Sequence, residues 1–346
     1  MKTNLDTAVL ETREGKEAND ILRSCVHCGF CTATCPTYQL LGDELDSPRG
    51  RIYLIKELLE GKKPTEATQL HLDRCLTCRS CETTCPSGVQ YGRLVDIGRN
   101  MVEKTVPRTL GDRLKRHTLE KVITNRTVFR SLITVGQIVK PALPKALKKK
   151  IPTAQKVATK WPQSNHPRKM LFLDGCVQPV LAPNINTATA QLLDRLKITL
   201  IPTSQVNCCG AVTYHLNKQT ESLVFIKQNI DAWWPLIEQG AEAIVITASG
   251  CGTMIKEYGH LLVDDPVYAK KAKTISEIAK DLCEVFTEEF ATLKDKVLEP
   301  IKQKHIETCK VAFHAPCSLQ HGQQIKGVVE KLLTSAGYTL TAIEDS

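Results

Sequence analysis

The 346-residue chain lacks several features that would place it in common classes of protein. No stretch approaches 18 consecutive apolar residues, which excludes a membrane-spanning helix. Aromatic residues make up only 5% of the chain and no recognised nucleic-acid motif occurs, so a nucleic-acid partner is disfavoured. Neither G-x-G-x-x-G nor G-x-x-x-x-G-K-[ST] is present. A flavin or nicotinamide site of known type is therefore not expected.

The amino-terminal segment is also informative by what it lacks. Met1–Asp20 has no apolar h-region of a signal peptide. We therefore expect a cytoplasmic protein whose thiols stay reduced. The formal net charge of +9 is partly concentrated in Pro141–Pro152. Such a run is typical of a solvated linker; the alternative is contact with an acidic partner subunit or with anionic lipid, which would place the protein peripherally on the inner face of the cell membrane.

Cysteine, in contrast, is abundant. The chain has fifteen cysteines, and eight of them form two copies of the pattern C-x2-C-x2-C-x3-C-P. The first motif is Cys25, Cys28, Cys31, Cys35 and Pro36, and the second is Cys75, Cys78, Cys81, Cys85 and Pro86. A cytosolic protein without metal would not need so many thiols, and the identical spacing in both copies indicates one chemistry used twice.

This spacing is typical of a pair of [4Fe–4S] clusters. Three cysteines wrap one cluster, and the fourth, which precedes proline, ligates the other cluster. Two ligand sets follow: Cys25, Cys28, Cys31 and Cys85 for cluster 1, and Cys75, Cys78, Cys81 and Cys35 for cluster 2. Zinc is the alternative, but zinc ribbons stop at four ligands. The motifs therefore predict a two-cluster electron carrier, in which metal binding and folding are coupled.

Patterns along the chain predict an α+β multidomain fold. Residues 1–105 are predicted to be a helical ferredoxin domain with two [4Fe–4S] motifs, including helices after Ser47-Pro48 up to Gly61 and from Thr65 to Asp73. Residues 106–168 are predicted to be a helical, basic linker. Residues 169–346 are predicted to be an α/β parallel-sheet domain, because apolar strands alternate with helices there.

The pattern of residues 169–346 assigns its elements individually. Strands are predicted at Met170–Leu173, Ile198–Ile201, Ala243–Thr247, Val311–His314 and Tyr338–Ile343. Helices are predicted at Ile185–Leu196, Leu216–Gln239, about Ile275–Phe290 and Ile325–Ala336.

A second group of cysteines follows three of these strands. Cys176, the pair Cys208-Cys209 and Cys251 are each predicted to lie at a strand–loop junction, where parallel sheets form their sites. Four converging thiols indicate a further metal site or a redox-active thiol group. The alternative is that they are buried small hydrophobic residues. Cys317 lies at a similar junction, whereas Cys283 and Cys309 are predicted to be structural.

Two segments resemble a known family. Cys25–Lys56 with Cys75–Arg99 resembles the iron–sulfur subunit of bacterial glycolate oxidase. Asp231–Pro235, Thr247–Gly252 and Phe313–His321 are similar to the same subunit, which extends the resemblance along the α/β part. The cysteine framework alone also resembles lactate-utilisation, anaerobic glycerol-3-phosphate dehydrogenase and heterodisulfide-reductase subunits.

The resemblance implies a division of labour. Flavin-bearing partner subunits would oxidise glycolate to glyoxylate, and this chain, with no catalytic residue or substrate site of its own, would pass the electrons towards a quinone. The alternatives are the same role with lactate or glycerol 3-phosphate, a disulfide-reducing thiol enzyme, and a zinc-stabilised interaction protein. The family has two tandem Cys-Cys-Gly halves, so the second half is expected to be incomplete at Ser346; we expect a truncated carboxyl terminus and exposed apolar surface near residues 311–343.

Overall fold

The computed structural model describes residues 1–155, 160–203, 206, 208–299 and 310–343. The chain divides into two compact units. Unit 1 comprises Met1–Lys115 with Gln320–Gln324, and unit 2 comprises Arg116–Leu319 with Ile325–Ser346. The functional division into residues 1–105, 106–168 and 169–346 stays a prediction.

The described residues up to Lys115 are helical, without β-strands. Their α-helices are α1 (Thr7–Leu10), α2 (Arg13–Ser24), α3 (Pro36–Leu41), α4 (Pro48–Leu59), α5 (Glu66–Asp73), α6 (Ser80–Thr84), α7 (Tyr91–Thr105) and the start of α8 (Leu110–Thr124). Single 3₁₀ turns occur at Phe30–Thr32 and Glu44–Asp46.

Helices α4 and α5 begin where the sequence predicts. The Ser47 hydroxyl accepts a hydrogen bond from Gly50 N, and Pro48 occupies the first helical position of α4. Thr65 and Thr68 form a capping box at the start of α5. Both predicted helices are confirmed.

One hydrophobic core holds unit 1 together. It is built from the inward faces of α2, α4, α5 and α7, with Leu22, Ile55, Leu59 and Leu94 completely buried. Cys25 and Cys81 belong to the same core, and Cys31, Cys75 and Cys85 pack against it. The cysteine loops are therefore fixed by the packing of the helices around them.

Unit 2 alternates strands and helices over most of its length. Its strands are β1 (Arg168–Phe172), β2 (Ile198–Pro202), β3 (Ile244–Ile246), β4 (Ala279–Asp281), β5 (Lys310–Ala312) and β6 (Thr339–Thr341). Its helices after α8 are α9 (Arg126–Val139), α10 (Lys145–Lys148), α11 (Gln178–Leu181), α12 (Pro183–Arg195), α13 (Ala211–His215), α14 (Gln219–Glu238), α15 (Ser249–Lys256), α16 (Tyr258–Leu261), α17 (Ala269–Ile278), α18 (Leu282–Glu288), α19 (Phe290–Leu293) and α20 (Val328–Ser335). A 3₁₀ turn lies at Lys140–Ala142 and a π turn at Lys294–Leu298. A second π turn, Ser318–Gly322, begins in unit 2 and ends in the segment Gln320–Gln324 of unit 1.

The main sheet is parallel, with strand order β2-β1-β3-β4. Successive side chains of a strand point to opposite faces, so Leu171 packs into the core formed with α14, α15 and α17. Phe172 packs into the opposite core, formed with α12 and α18. Burial of both faces explains why these strands are continuous apolar runs. The predicted fold class, a helical domain followed by a parallel-sheet domain, is confirmed.

The predicted helix over Ile275–Phe290 is wrong in its middle. Residues Ala279–Asp281 form strand β4, which pairs with β3. The Asp281 carboxylate then caps α18 through a capping box with Glu284. A three-residue edge strand between two helices has too few residues to interrupt the helical pattern visibly, so pairing with β3 decides its conformation.

Strands β5 and β6 form a separate two-stranded parallel sheet. Both have an exposed residue at each end and a partly buried one between, so neither is fully covered. Within the described residues 310–343, however, the large apolar side chains are buried or half-buried rather than exposed. The expected exposed apolar surface is therefore limited to partial exposure.

None of the helices in the described residues is both long enough and apolar enough to cross a membrane.

Candidate metal centres

The two predicted cluster ligand sets line two cavities in unit 1. Cys25, Cys28, Cys31 and Cys85 line one cavity, together with Cys81. Cys35, Cys75, Cys78 and Cys81 line the other. In each cavity, three cysteines of one motif meet the fourth cysteine of the other motif. The crossed ligand assignment itself stays a prediction.

Both motifs turn in the same way. His27 and Thr77 follow the first cysteine of their motifs by two residues, and both have positive φ, at 61° and 53°. Gly29 and Arg79 follow by four residues, with φ of 86° and 60°. A left-handed conformation is uncommon for residues other than glycine. The left-handed conformation recurs at equivalent positions of both motifs. This indicates that the placement of the thiols, rather than the conformational preference of each residue, sets the backbone angles there.

The thiols of unit 1 range from buried to exposed. Cys25, Cys35 and Cys81 are buried, whereas Cys28 is exposed. Burial, with the neighbouring Cys25, raises the pKa of Cys31 to about 11, and Cys85 and Cys28 add to this rise. Burial and the adjacent Cys75 also raise the pKa of Cys81. Thiols with such values lose their protons when a metal ion takes the proton's place, and a set of four thiols is the donor set of a cubane cluster.

A buried guanidinium group lies beside the cluster 2 ligands. Arg51, only 1% exposed, places Nη1 at 4.0 Å from Cys35 Sγ and at 3.1 Å from Thr37 Oγ1. Its Nε donates to the carbonyl of His71 at 2.7 Å, and its Nη2 pairs with Asp46 at 3.3 Å. Burial lowers the pKa of Arg51, but Tyr91, Cys75 and Cys35 raise it, with a net rise.

Arg99 is a second buried guanidinium group in the same region. It donates to the carbonyl of Leu72 at 2.8 Å and 3.0 Å, and to the carbonyl of Cys75 at 2.6 Å. Its third contact is the Thr77 hydroxyl at 3.2 Å. Neither arginine stands out in the sequence, since each occupies an ordinary position in a helix and only the packing buries it.

Cys176, Cys208, Cys209 and Cys251 are brought together in unit 2. They follow the carboxyl ends of strands β1, β2 and β3, and the order β2-β1-β3 makes these ends adjacent. The four thiols contact one another in the order Cys176, Cys208, Cys209, Cys251. The sheet reverses its strand order between β1 and β3, and such a switch point is where open α/β sheets form their sites.

Buried side chains hold the Cys208–Gly210 loop. Asn229 Nδ2 donates to the carbonyl of Cys208 at 2.9 Å, and the Tyr258 hydroxyl donates to that of Cys209 at 2.8 Å. The hydroxyl of Ser222 donates to the carbonyl of Gly210 at 2.9 Å. Gly210 has φ of +90°, and its N–H points to Cys208 Sγ at 3.4 Å. The adjacent thiols are therefore displayed by a rigid loop.

Contacts between thiols dominate the electrostatics of this group. The contact with Cys208 is the largest cause of the raised pKa of Cys176, followed by burial. For Cys208, the contact with Cys176 lowers the pKa, but Cys209 and burial raise it to about 12. For Cys209, the contact with Cys208 lowers the pKa, while Cys251 and burial raise it more strongly. Without a metal ion, the thiols of Cys176, Cys208 and Cys209 are therefore protonated at neutral pH.

Cys283 and Cys317 do not join this group. Cys317 is exposed. Cys283 is buried and donates through its thiol to Asp281 Oδ1 at 3.0 Å, which fits its predicted structural role. Cys309 lies outside the described residues.

Two family models match the chain. A 4Fe-4S dicluster domain matches residues 21–89, and a cysteine-rich domain matches residues 170–256. The first covers both motifs, and the second covers Cys176 to Cys251. The expectation of two [4Fe–4S] clusters with a candidate further centre is therefore confirmed.

Comparison with curated proteins decides the family. The glycolate oxidase iron-sulfur subunit of Escherichia coli (strain K12) is 53% identical over the whole chain, which spans 83% of that protein. The probable glycolate oxidase iron-sulfur subunit of Bacillus subtilis (strain 168) is 30% identical over 92% of the chain and 77% of its own length. The chain belongs to the family of glycolate oxidase iron–sulfur subunits. The predicted electron-transfer subunit of an oxidoreductase is thereby confirmed.

More distant relatives share the architecture. A dihydromethanophenazine:CoB–CoM heterodisulfide reductase component from Methanosarcina acetivorans is 26% identical over 86% of the chain and 69% of its own length. This weaker match fits the alternative of a thiol enzyme less well than the glycolate oxidase subunits fit the electron carrier. No solved structure matches the chain.

Proposed function

We propose that the chain carries electrons from a flavin-bearing subunit, which oxidises glycolate to glyoxylate, towards a quinone or another membrane acceptor. The single observation that carries this proposal is the pair of complete four-thiol sets lining adjacent cavities in a chain of this family. The localisation proposed with it is cytoplasmic, at the inner face of the cell membrane.

The proposed ligands are the crossed sets. Cys25, Cys28, Cys31 and Cys85 would hold cluster 1, and Cys35, Cys75, Cys78 and Cys81 would hold cluster 2. When bound, each [4Fe–4S] cluster accepts and releases one electron. The protein binds the clusters through its thiolates and orients them through the packing of α2, α4, α5 and α7. Thr77 N and the Tyr91 hydroxyl approach Cys75 Sγ at 3.4 Å and 3.6 Å, and such hydrogen bonds favour the reduced state.

The surface beside cluster 1 is the proposed docking face for the flavin-bearing subunit. Val26 and Phe30 flank the exposed Cys28 and are themselves 67% and 62% exposed. Apolar side chains exposed around a redox centre are typical of an interaction site, because docking removes them from water and brings the two centres close. We call Val26, Cys28 and Phe30 the cluster 1 face.

Cys176, Cys208, Cys209 and Cys251 are kept as a candidate further metal or redox-active thiol site. Their direct contacts and the rigid loop that carries two of them support a role beyond packing. Iron analysis distinguishes the options, since two clusters contain about eight irons and a third would raise the count to about twelve.

The test is anaerobic purification followed by iron and sulfide analysis and substrate-driven reduction. The isolated chain is expected to contain about eight irons and to stay oxidised when glycolate is added alone. With the flavin-bearing subunit present, glycolate should reduce the clusters, whereas lactate and glycerol 3-phosphate should not. Zinc in place of iron, or reduction of the isolated chain by glycolate, would overturn the proposal.

A matched pair of variants tests the docking face. Phe30→Ser should weaken reduction by the partner subunit, because it removes an exposed apolar contact from the cluster 1 face. Leu110→Ser is the control, since Leu110 is 82% exposed at the start of α8 and is not part of that face. Equal reduction rates for the two variants would place the docking site elsewhere.

A further inference from the structure

The two cluster ligand sets differ in the charges buried beside them. Arg49 is the arginine beside cluster 1: it contacts Gly29 of the first motif and interacts with Cys31. Its side chain is 34% exposed and pairs with Glu44 at 2.7 Å. One partly exposed cation is therefore matched by one anion, and water screens both.

Two buried guanidinium groups, those of Arg51 and Arg99, and one buried carboxylate, that of Asp46, lie at the cluster 2 ligands. Arg51 and Arg74 both pair with Asp46, so two guanidinium groups share one carboxylate. Arg99 donates to carbonyl oxygens, and within the described residues no ion pair joins it to a carboxylate. The remaining pair, Arg79 and Glu82, lies together against Gly92 and brings one charge of each sign.

A buried cation without an anionic partner is costly, because the protein interior solvates it poorly. Arg99 pairs with no carboxylate in the part of the chain that the structure describes, and Arg51 shares Asp46 with Arg74. The thiolates of Cys35 and Cys75 would supply further counter-charge, since Arg51 reaches Cys35 Sγ and Arg99 holds the carbonyl of Cys75. A cluster with four thiolate ligands is an anion, and its reduction adds one further negative charge. Low dielectric surroundings make this interaction stronger than at the partly exposed Arg49.

We propose that Arg51 and Arg99 are counter-charges that raise the reduction potential of cluster 2 above that of cluster 1, and so direct the electron from the cluster 1 face towards cluster 2. The step transfers one electron from reduced cluster 1 to oxidised cluster 2, and no bond forms or breaks. Both arginines act through the thiolate ligands and are therefore positioning residues. This inference rests on the proposed function, because it uses the crossed ligand sets.

The test is a potentiometric titration of the iron-loaded chain, followed by EPR. Arg51→Gln and Arg99→Gln should each lower the potential of the more easily reduced cluster. The expected change in its ratio of reduced to oxidised form at fixed potential is about tenfold, equivalent to about 59 mV for one electron. The second cluster should shift by less than half as much. Arg49→Gln is the matched control and should change either ratio by no more than about threefold.

A variant that removes a negative charge instead of a positive one separates the effect of charge on the reduction potential from an effect of altered structure. Asp46→Asn keeps the size of the buried side chain but removes the anion shared by Arg51 and Arg74, so it should raise the same potential. A merely structural role would instead shift the potential in the same direction in Arg51→Gln and Asp46→Asn, or not at all. Either result overturns the inference.

Iron content separates this inference from the proposed function. A wild-type chain without iron would refute the proposed function. A chain with about eight irons whose reduction potentials are unchanged in Arg51→Gln, Arg99→Gln and Asp46→Asn would refute only the inference. If the glutamine variants lose iron, Arg51→Lys and Arg99→Lys carry the test. Both keep the positive charge and should keep the ratio within about threefold of wild type. A tenfold fall in the ratio of reduced to oxidised cluster in the lysine variants would assign the effect to guanidinium hydrogen bonds and contradict the charge mechanism.

Discussion

The two cysteine regions of this chain use similar residues in different surroundings. In unit 1 the thiols of two loops line cavities, and one of them, Cys28, is exposed. In unit 2 the thiols of three loops contact one another directly, with Cys208 and Cys209 almost completely buried. The first arrangement is open around a space between sulfurs, and the second is closed.

The difference lies in the supporting groups. Around the cavities of unit 1, buried arginines supply positive charge that suits an anionic cluster. In unit 2 the hydrogen bonds from Asn229, Ser222 and Tyr258 are made to backbone carbonyls and fix the loop. Each predicted ligand set of unit 1 has four cysteines, and so has the group in unit 2, so the number of thiols in a set does not separate the two regions. Their electrostatics indicate that unit 1 stabilises a charged centre, whereas unit 2 stabilises a loop conformation.

Removing a ligand should affect the two regions most differently. Cys85→Ser takes one thiolate from the cluster 1 set and should lower the iron content by about half, because a cubane needs four ligands. Cys251→Ser should leave the iron content unchanged, since its thiol group closes on other thiols. Iron and sulfide analysis of both purified variants checks this. A similar loss in Cys251→Ser would make the regions equivalent and assign iron to unit 2.

Metal removal should separate the stabilities of the two units. Chelation of iron is expected to destabilise the packing of α4 and α7, because the proposed crossed ligation would link the loops that adjoin these helices. The parallel sheet of unit 2 has its own cores on both faces and should be unaffected. Hydrogen exchange measured before and after chelation should show a larger increase in the exchange rate at the amides of Ile55 and Leu94 than at those of Leu171 and Val245. Equal loss of protection in both units would contradict this.

The rigidity of the Cys-Cys-Gly loop can be tested at its glycine. Gly210→Ala should destabilise the protein by about 1–3 kcal/mol, because φ is +90° and the added Cβ would meet Ser222 Oγ at 2.8 Å. Gly250→Ala is the control: it lies in the first turn of α15, with open space around its position for a Cβ. Urea unfolding gives both values. Equal effects would show that the loop is not conformationally constrained.

The smallest expected effect concerns a buried carboxylate of unit 2. Burial, the largest single cause, raises the pKa of Glu120, but the hydrogen bonds and charges of Lys218 and Lys121 together lower it more, so the net pKa lies below its ordinary value of 4.5. The carboxylate therefore contributes stability that is complete above pH 4.5 and is lost as the pH falls through the folded-state pKa. The melting temperature of Glu120→Gln should depend less on pH between pH 5 and pH 3 than that of the wild type. Parallel profiles would remove Glu120 from the acid response.

Much of the fold follows from local signals. Helices α4 and α5 begin after Ser47 and Thr65 because the side chains of these residues cap the first turn, independently of tertiary contacts. The apolar runs that became β1, β2 and β3 required burial on both faces, which only a covered parallel sheet provides. Strand β4 was missed because three residues carry no periodicity, and its pairing with β3 depends on the folded sheet.

The sequence by itself determined the type of protein. The spacing of eight cysteines is chemical information, since thiolates at these intervals can wrap cubanes, and the motifs carry the family likeness as well. Only the tertiary structure decided which charges lie beside which ligands. Arg51 and Arg99 resemble any helix-surface arginine in the sequence, yet folding buries one against Cys35 and the other against the backbone of Cys75. The electrostatic interaction between a guanidinium group and a ligand becomes strong only when water is excluded, and that exclusion depends on the assembled core.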